Sequence, residues 1–168
     1  MKELLNLFAN HILICASISW LVSQLLKFVI NFIVEKEWSL ERLFGDGGMP
    51  SGHSATVMAM AVMAGYTCGV GSPEFGIAAI VAIVVMHDAT GVRREAGKQA
   101  VTIIQLFGAI NEMLSEKDKL VQKEKLKTFV GHSPIQVFFG ALTGIVTSIV
   151  YILISYSFGY DLFLVFKL

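Results

Sequence analysis

The sequence predicts an all-α fold: an integral membrane helical bundle of about four transmembrane helices, with an amphipathic helix between the third and fourth. Two observations carry that expectation. Of 168 residues, 55% are hydrophobic and only 15% charged, and the mean hydropathy is +0.68, too apolar for an ordinary soluble domain. Four runs, 12–34, 51–70, 75–92 and 134–158, approach the ~20 residues that a helix needs to cross a hydrocarbon core. We expect one membrane-embedded domain over 1–168 and no second one.

The first run follows Met1-Lys2-Glu3, is longer than a signal-peptide core and shows no small-residue cleavage pattern, so it is expected to stay as an anchor. Gln24, Lys27 and Asn31, at i, i+3 and i+7, form a polar stripe that should face protein. His11 lies at the far end of the same run and is not expected to take part in chemistry. The second run opens on Gly47-Gly48-Met49-Pro50-Ser51-Gly52-His53-Ser54. The glycines give a flexible approach to Pro50, whose fixed φ suits a helix start. Gly69-Val70-Gly71-Ser72-Pro73 reads as a tight turn, so the second and third runs form a hairpin.

The third run changes abruptly from aliphatic to polar at His87-Asp88-Ala89-Thr90-Gly91-Val92-Arg93-Arg94. Beyond it, apolar positions at Val101, Ile104, Phe107, Ile110 and Leu114, with polar residues among them, predict an amphipathic interfacial helix over 96–114. The mixed charges of 115–127 read as a solvated helix or loop. The fourth run opens on Gly131-His132-Ser133-Pro134. Its Gly140 and Gly144 have the spacing of a close helix contact, within one chain or across a homodimer. The tail 162–166 is too short to cross and should lie at the interface or against a neighbouring subunit. Cys15 and Cys68 sit in apolar runs as small hydrophobes, and no disulfide between them is expected.

Ten of the 13 Lys and Arg residues fall between runs one and two or between three and four, against Lys2 and Lys167 on the other side. The positive-inside rule puts the ten-cation side in the cytoplasm. By alternation of spans, Lys27, the 50–54 segment, Asp88, Arg93, Arg94 and His132 all come to that face. Cations, two histidines and the N–H groups of helix starts make a cradle for phosphate. Two histidines allow one to attack phosphorus while the other protonates the leaving oxygen. Asp88 in a span costs about 2.5 to 3.5 kcal/mol on insertion scales, so a partner is expected among Arg93, Arg94 and Lys27. Plainer roles compete: a histidine can cap its helix, Lys27 can snorkel to the headgroups, and the arginines can act only as a positive-inside anchor.

Pro50-Ser51-Gly52-His53 resembles the central signature of the type 2 phosphatidic acid phosphatase and vanadium haloperoxidase superfamily. Gly131-His132-Ser133-Pro134-Ile135-Gln136-Val137, followed by Gly140 and Gly144, resembles its last signature. Together with Asp88-Ala89-Thr90-Gly91-Val92-Arg93-Arg94, the pattern is similar to the divergent branch of small bacterial and plastid membrane proteins. The resemblance implies an integral, multi-pass protein of the bacterial cytoplasmic membrane and a lipid phosphatase working through a phosphohistidine. In its terms His132 is the nucleophile and His53 acts on the leaving group. Ser51 and Gly52 hold phosphate oxygens, with Ser54, Lys27, Arg93 and Arg94 added from the cradle above. No metal or other cofactor is implied, and vanadate would occupy the site as a mimic of the phosphoryl transition state.

Three positions depart from the superfamily pattern. The first signature has Arg-Pro seven residues after its lysine, where this chain has Val34 and Glu35. The last has an arginine six residues before its histidine, where this chain has Leu126. A carboxylate normally follows that histidine by four residues and orients its ring. Gln136 stands there, able to accept a hydrogen bond from the imidazole but carrying no charge, and Asp88 is the expected replacement. The expected partners are a lipid phosphate substrate, membrane lipids and a homodimer mate, and no nucleic acid. The alternative is a non-catalytic lipid-phosphate-binding or assembly protein of the same fold; a proton-relay transporter is a weaker one.

Overall fold

The computed structural model describes residues 9–35, 48–113 and 133–159. His132, the charged run 115–127 and the tail 162–166 lie outside the described residues, as do the side chains of Val34, Glu35 and Arg93. Among the described residues five helices follow one another: α1 His11–Glu35, α2 Gly52–Cys68, α3 Pro73–Thr90, α4 Val92–Met113 and α5 Pro134–Ser157. Three stretches, His11–Ile33, Pro73–Ile110 and Pro134–Ser157, are long and apolar enough to cross a membrane. At 17 residues, α2 is about 25 Å long and is the central helix, packed against α1, α3 and α5.

Serine starts three of the helices. Ser51, Ser72 and Ser133 are the N-caps of α2, α3 and α5, each accepting from a backbone N–H one turn in, which satisfies a donor that the first turn leaves open. Pro73 and Pro134 occupy the first turn of their helices, where a missing N–H does no harm. Pro50 does not. It precedes the Ser51 cap, so the expectation that it opens its helix is corrected: the helix begins two residues later, at Gly52, and the hydroxyl at 51 supplies an acceptor that proline lacks.

The bundle is inverted relative to a soluble core. Its interior is small: Cys15, Ala55, Ala59, Ala64, Ala78 and Ala82 are buried, whereas Leu25, Ile33, Ile80, Ile83, Phe138 and Leu153 stand outside, 60 to 67% exposed. Lipid tails are as apolar as leucine, so helices associate through close van der Waals packing of small residues. Three lines at i, i+4 spacing meet here: Cys15, Ser19, Ser23 and Lys27 on α1; Ser51, Ala55, Ala59 and Met63 on α2; Gly140, Gly144 and Ser148 on α5. Ser19 Oγ donates to the Ala55 carbonyl at 3.0 Å, and Cys15 Sγ donates to Ser148 Oγ at 3.5 Å.

The glycine pair serves packing within the chain. A Cβ on Gly140 would come within 2.5 Å of the Ser51 carbonyl oxygen, and one on Gly144 within 2.5 Å of that of Ala55. Of the two roles open to this pair in the sequence, the contact within one chain is the one seen. Among the described residues, α4 follows α3 after Gly91 and has little contact with any other helix. Its Val101, Ile103, Leu106, Ile110 and Met113 are exposed. Cys15 and Cys68 are both free thiols.

Candidate functional site

Helix directions and a few contacts bring the motifs to one level. Cys15 meets Ser148, and His11 Nδ1 shares a 2.7 Å hydrogen bond with Tyr151 Oη, so α1 and α5 run antiparallel. Lys27, twelve residues past Cys15, therefore comes about level with Gln136, twelve before Ser148, since both helices rise equally per residue. Gly65 lies against Phe75. Asp88, thirteen residues past Phe75, comes about level with Gly52, thirteen before Gly65. The His11–Tyr151 pair marks the opposite end of the bundle.

At this level the start of α2 is tied to the start of α5. The Ser51 N–H donates to the Gln136 carbonyl at 3.0 Å. Ser51 is fully buried, and its Oγ accepts from Ser54 Oγ at 3.0 Å and from Ser54 N–H at 3.4 Å. Ser54 and Gly52 are buried with it, whereas His53 is exposed. His53 is thus the exposed residue of a helix start whose neighbours Ser51, Gly52 and Ser54 are buried. An α-helix start of this kind favours an anion through its N–H groups and its dipole.

Lys27 is 2% exposed. The close approach of Gly48 covers its stem: a Cβ there would lie 3.1 Å from Lys27 Cγ and 3.3 Å from Cδ. Gly48 also has φ +98°, left-handed backbone that side chains resist. Two independent constraints thus ask for glycine, and the approach to Pro50 is folded over the lysine. Snorkelling along an open helix surface does not describe a lysine so enclosed. One turn earlier, Gln24 Oε1 is buried with no hydrogen-bond partner among the described residues, and Gln24 and Asn31 are both partly buried, so the polar stripe faces protein.

Gln136 has a use that its place in the motif does not announce. Its Oε1 accepts from the Ser133 N–H at 2.9 Å while its own N–H donates to Ser133 Oγ at 3.4 Å, a reciprocal capping box. The acceptor expected for an imidazole is engaged in closing the start of α5. The sequence signal was present, a serine with glutamine three residues on.

Residues 8–147 match the profile described as the divergent PAP2 family. The chain belongs to that family. Within the divergent PAP2 family's terms, it is also similar to the uncharacterized membrane protein YuiD of Bacillus subtilis (strain 168), with 42% identity over 154 residues covering 87% of this chain and 96% of that protein. No solved structure matches the chain. Like YuiD, this divergent PAP2 protein is an integral membrane protein, and its inverted core is what that environment requires.

Of the residues singled out in the sequence, the fold gathers Lys27, Ser51, Gly52 and Ser54, with His53 at their edge and Asp88 about level with them. Arg94 is not gathered. It is exposed in the first turn of α4, and among the described residues no hydrogen bond or ion pair ties it to this cluster. Lys98, nearby, pairs with Glu95 at 2.6 Å on the surface, a contact of little energetic weight. Contact between α3 and α5 is slight, which leaves Asp88 nearer the α2 start than the α5 start. Sequence reasoning missed Ser19 and Ser23, both fully buried on the α1 line; their spacing of four from Cys15 to Lys27 was the signal that could have found them.

Proposed function

We propose that this protein is a membrane phosphatase that hydrolyses a lipid phosphomonoester or diphosphate at the cytoplasmic surface of a bacterial membrane. The observation that carries the reading is the backbone bond from Ser51 to Gln136. It joins the segment that bears His53 to the helix that begins directly after His132, beside a buried lysine. His132 attacks phosphorus in line as the bond to the lipid oxygen breaks, and His53 gives that oxygen its proton. Lys27, Arg93, the Ser51 and Ser54 hydroxyls and the N–H groups at Gly52 meet the charge on the equatorial oxygens. Asp88, about level with the α2 start, supplies a carboxylate on the His53 side of the site. Water then attacks the phosphohistidine, with His53 as base, and phosphate leaves.

The Gln136 capping box favours a second reading, a lipid-phosphate binder without turnover, because an uncharged side chain engaged at a helix start cannot stabilise an imidazolium. Phosphate release from phosphatidic acid, phosphatidylglycerol phosphate and polyprenyl diphosphate, measured in EDTA with and without vanadate, separates the two. Release blocked by vanadate is expected. Vanadate binding without release would leave the second reading, and neither would sink both. Lys27→Met keeps the packing length and removes the charge, so it should weaken vanadate inhibition by about 10- to 100-fold, the loss of a charge-assisted contact of about 1.5 to 3 kcal/mol. Unchanged inhibition would remove Lys27 from the site.

A further inference from the structure

Beside the site, the outward faces of α1 and α5 leave a groove of about 230 Å³. Val22 and Leu26 on α1 and Phe139, Leu142 and Val146 on α5 form its walls, with half-buried Thr143 among them. The α5 positions recur at i, i+3 and i+7, so they form one continuous strip of helix surface. Thr143 turns its hydroxyl onto the Phe139 carbonyl at 2.8 Å, which leaves the groove an apolar surface.

We infer that this groove holds one acyl or prenyl chain of the same lipid whose phosphate is cradled at Lys27 and Ser51. The inference rests on the phosphate site proposed above. Two observations select that occupant. The groove begins beside the site: Leu26 adjoins Lys27 in the chain, one side chain 41% exposed and the other 2%, so the two face outward and inward at one level. Its depth also fits. The lining runs eight residues from Phe139 to Thr147, about 12 Å of helix, and its far end lies eleven residues, about 16 Å, beyond Gln136 at the level of Lys27. That is close to half of a ~30 Å hydrocarbon core, the depth one leaflet's chain occupies below its headgroup. A bulk lipid has no reason to register its headgroup with a buried lysine, whereas a lipid phosphate does.

The test is photo-cross-linking of the full chain in nanodiscs with phosphatidic acid carrying a diazirine midway along one acyl chain. Label is expected on the α5 peptide containing Phe139 to Thr147, displaced by excess dioleoyl phosphatidic acid but not by dioleoylglycerol, which has the same chains and no phosphate. Equal displacement by both, or label elsewhere, would overturn the inference. So would label that disappears when two copies share a nanodisc, since that would seat a second copy in the groove.

Thr143→Phe fills the groove from a lipid-facing position. It should raise KM for dioleoyl phosphatidic acid roughly tenfold and leave the short-chain dihexanoyl substrate unaffected. Loss on both substrates or on neither counts against the groove. The two proposals fail separately. Phosphate-dependent labelling without phosphate release would retain the groove and remove the phosphatase, and release with phosphate-independent labelling would do the reverse.

Discussion

His132→Ala protein is expected to release no phosphate above background from any lipid phosphate that the wild type hydrolyses, because no group remains to form the covalent intermediate. His53→Ala should retain more, with turnover reduced by about 10²- to 10⁴-fold, the usual range for a lost general acid. The two roles separate with the leaving group. An aryl phosphate leaves without a proton, so it should restore phosphoenzyme formation in His53→Ala and do nothing for His132→Ala. Acid-labile, base-stable phosphate on the His53→Ala protein is the readout. Rescue of both variants, or of neither, would mean the assigned roles are wrong. Thermal unfolding in detergent, measured alongside, checks that each variant folds.

Gly140→Ala is the second large effect, on assembly. A single methyl would meet the Ser51 carbonyl oxygen at 2.5 Å and Ser54 Cβ at 2.8 Å, and neither is the end of a flexible side chain. Overpacking of this kind costs about 1 to 3 kcal/mol, and Gly144→Ala should cost a similar amount against the Ala55 carbonyl. Thermal unfolding followed by size-exclusion chromatography in detergent is the measurement. Gly108→Ala is the control: nothing lies within 4 Å of a Cβ there, and alanine is the better helix former by up to ~1 kcal/mol. If Gly140→Ala and Gly108→Ala unfold alike, α2 and α5 are not in contact as described. Gly140→Ala should also lower activity, because it pushes apart the two helix starts that frame the site.

Most of the helix layout was legible in the sequence, because the ends of apolar runs are marked by strong local signals. The Gly69 to Pro73 turn, the serine before each of two prolines and the polar break after Met86 set boundaries within a few residues of those found. The inner surface was harder to read. A stripe at Gln24, Lys27 and Asn31 is visible because its residues are strongly polar, whereas Cys15, Ser19 and Ser23 are small and nearly neutral in hydropathy. Their burial follows from helix approach, which composition does not report.

The site divides the same way. Lys27 and the Ser51 to Ser54 segment converge as alternation of spans alone suggested. Gln136 was read as a weakened catalytic position, yet its side chain closes its own helix start, and a local capping motif competed with a distant functional one. Arg94 was recruited on charge. It is exposed on α4, beyond the break at Gly91 that ends α3.

The bond between the two motifs is made by main-chain atoms, a Ser51 N–H and a Gln136 carbonyl. Every residue but proline carries that N–H, and every residue carries that carbonyl. The frame is therefore indifferent to which side chain evolution writes at position 136. A lineage can exchange a carboxylate for an amide there, and with it the rate or even the reaction, while inheriting the same architecture. Such a seam lets a shape persist while the chemistry of the side chains around it changes.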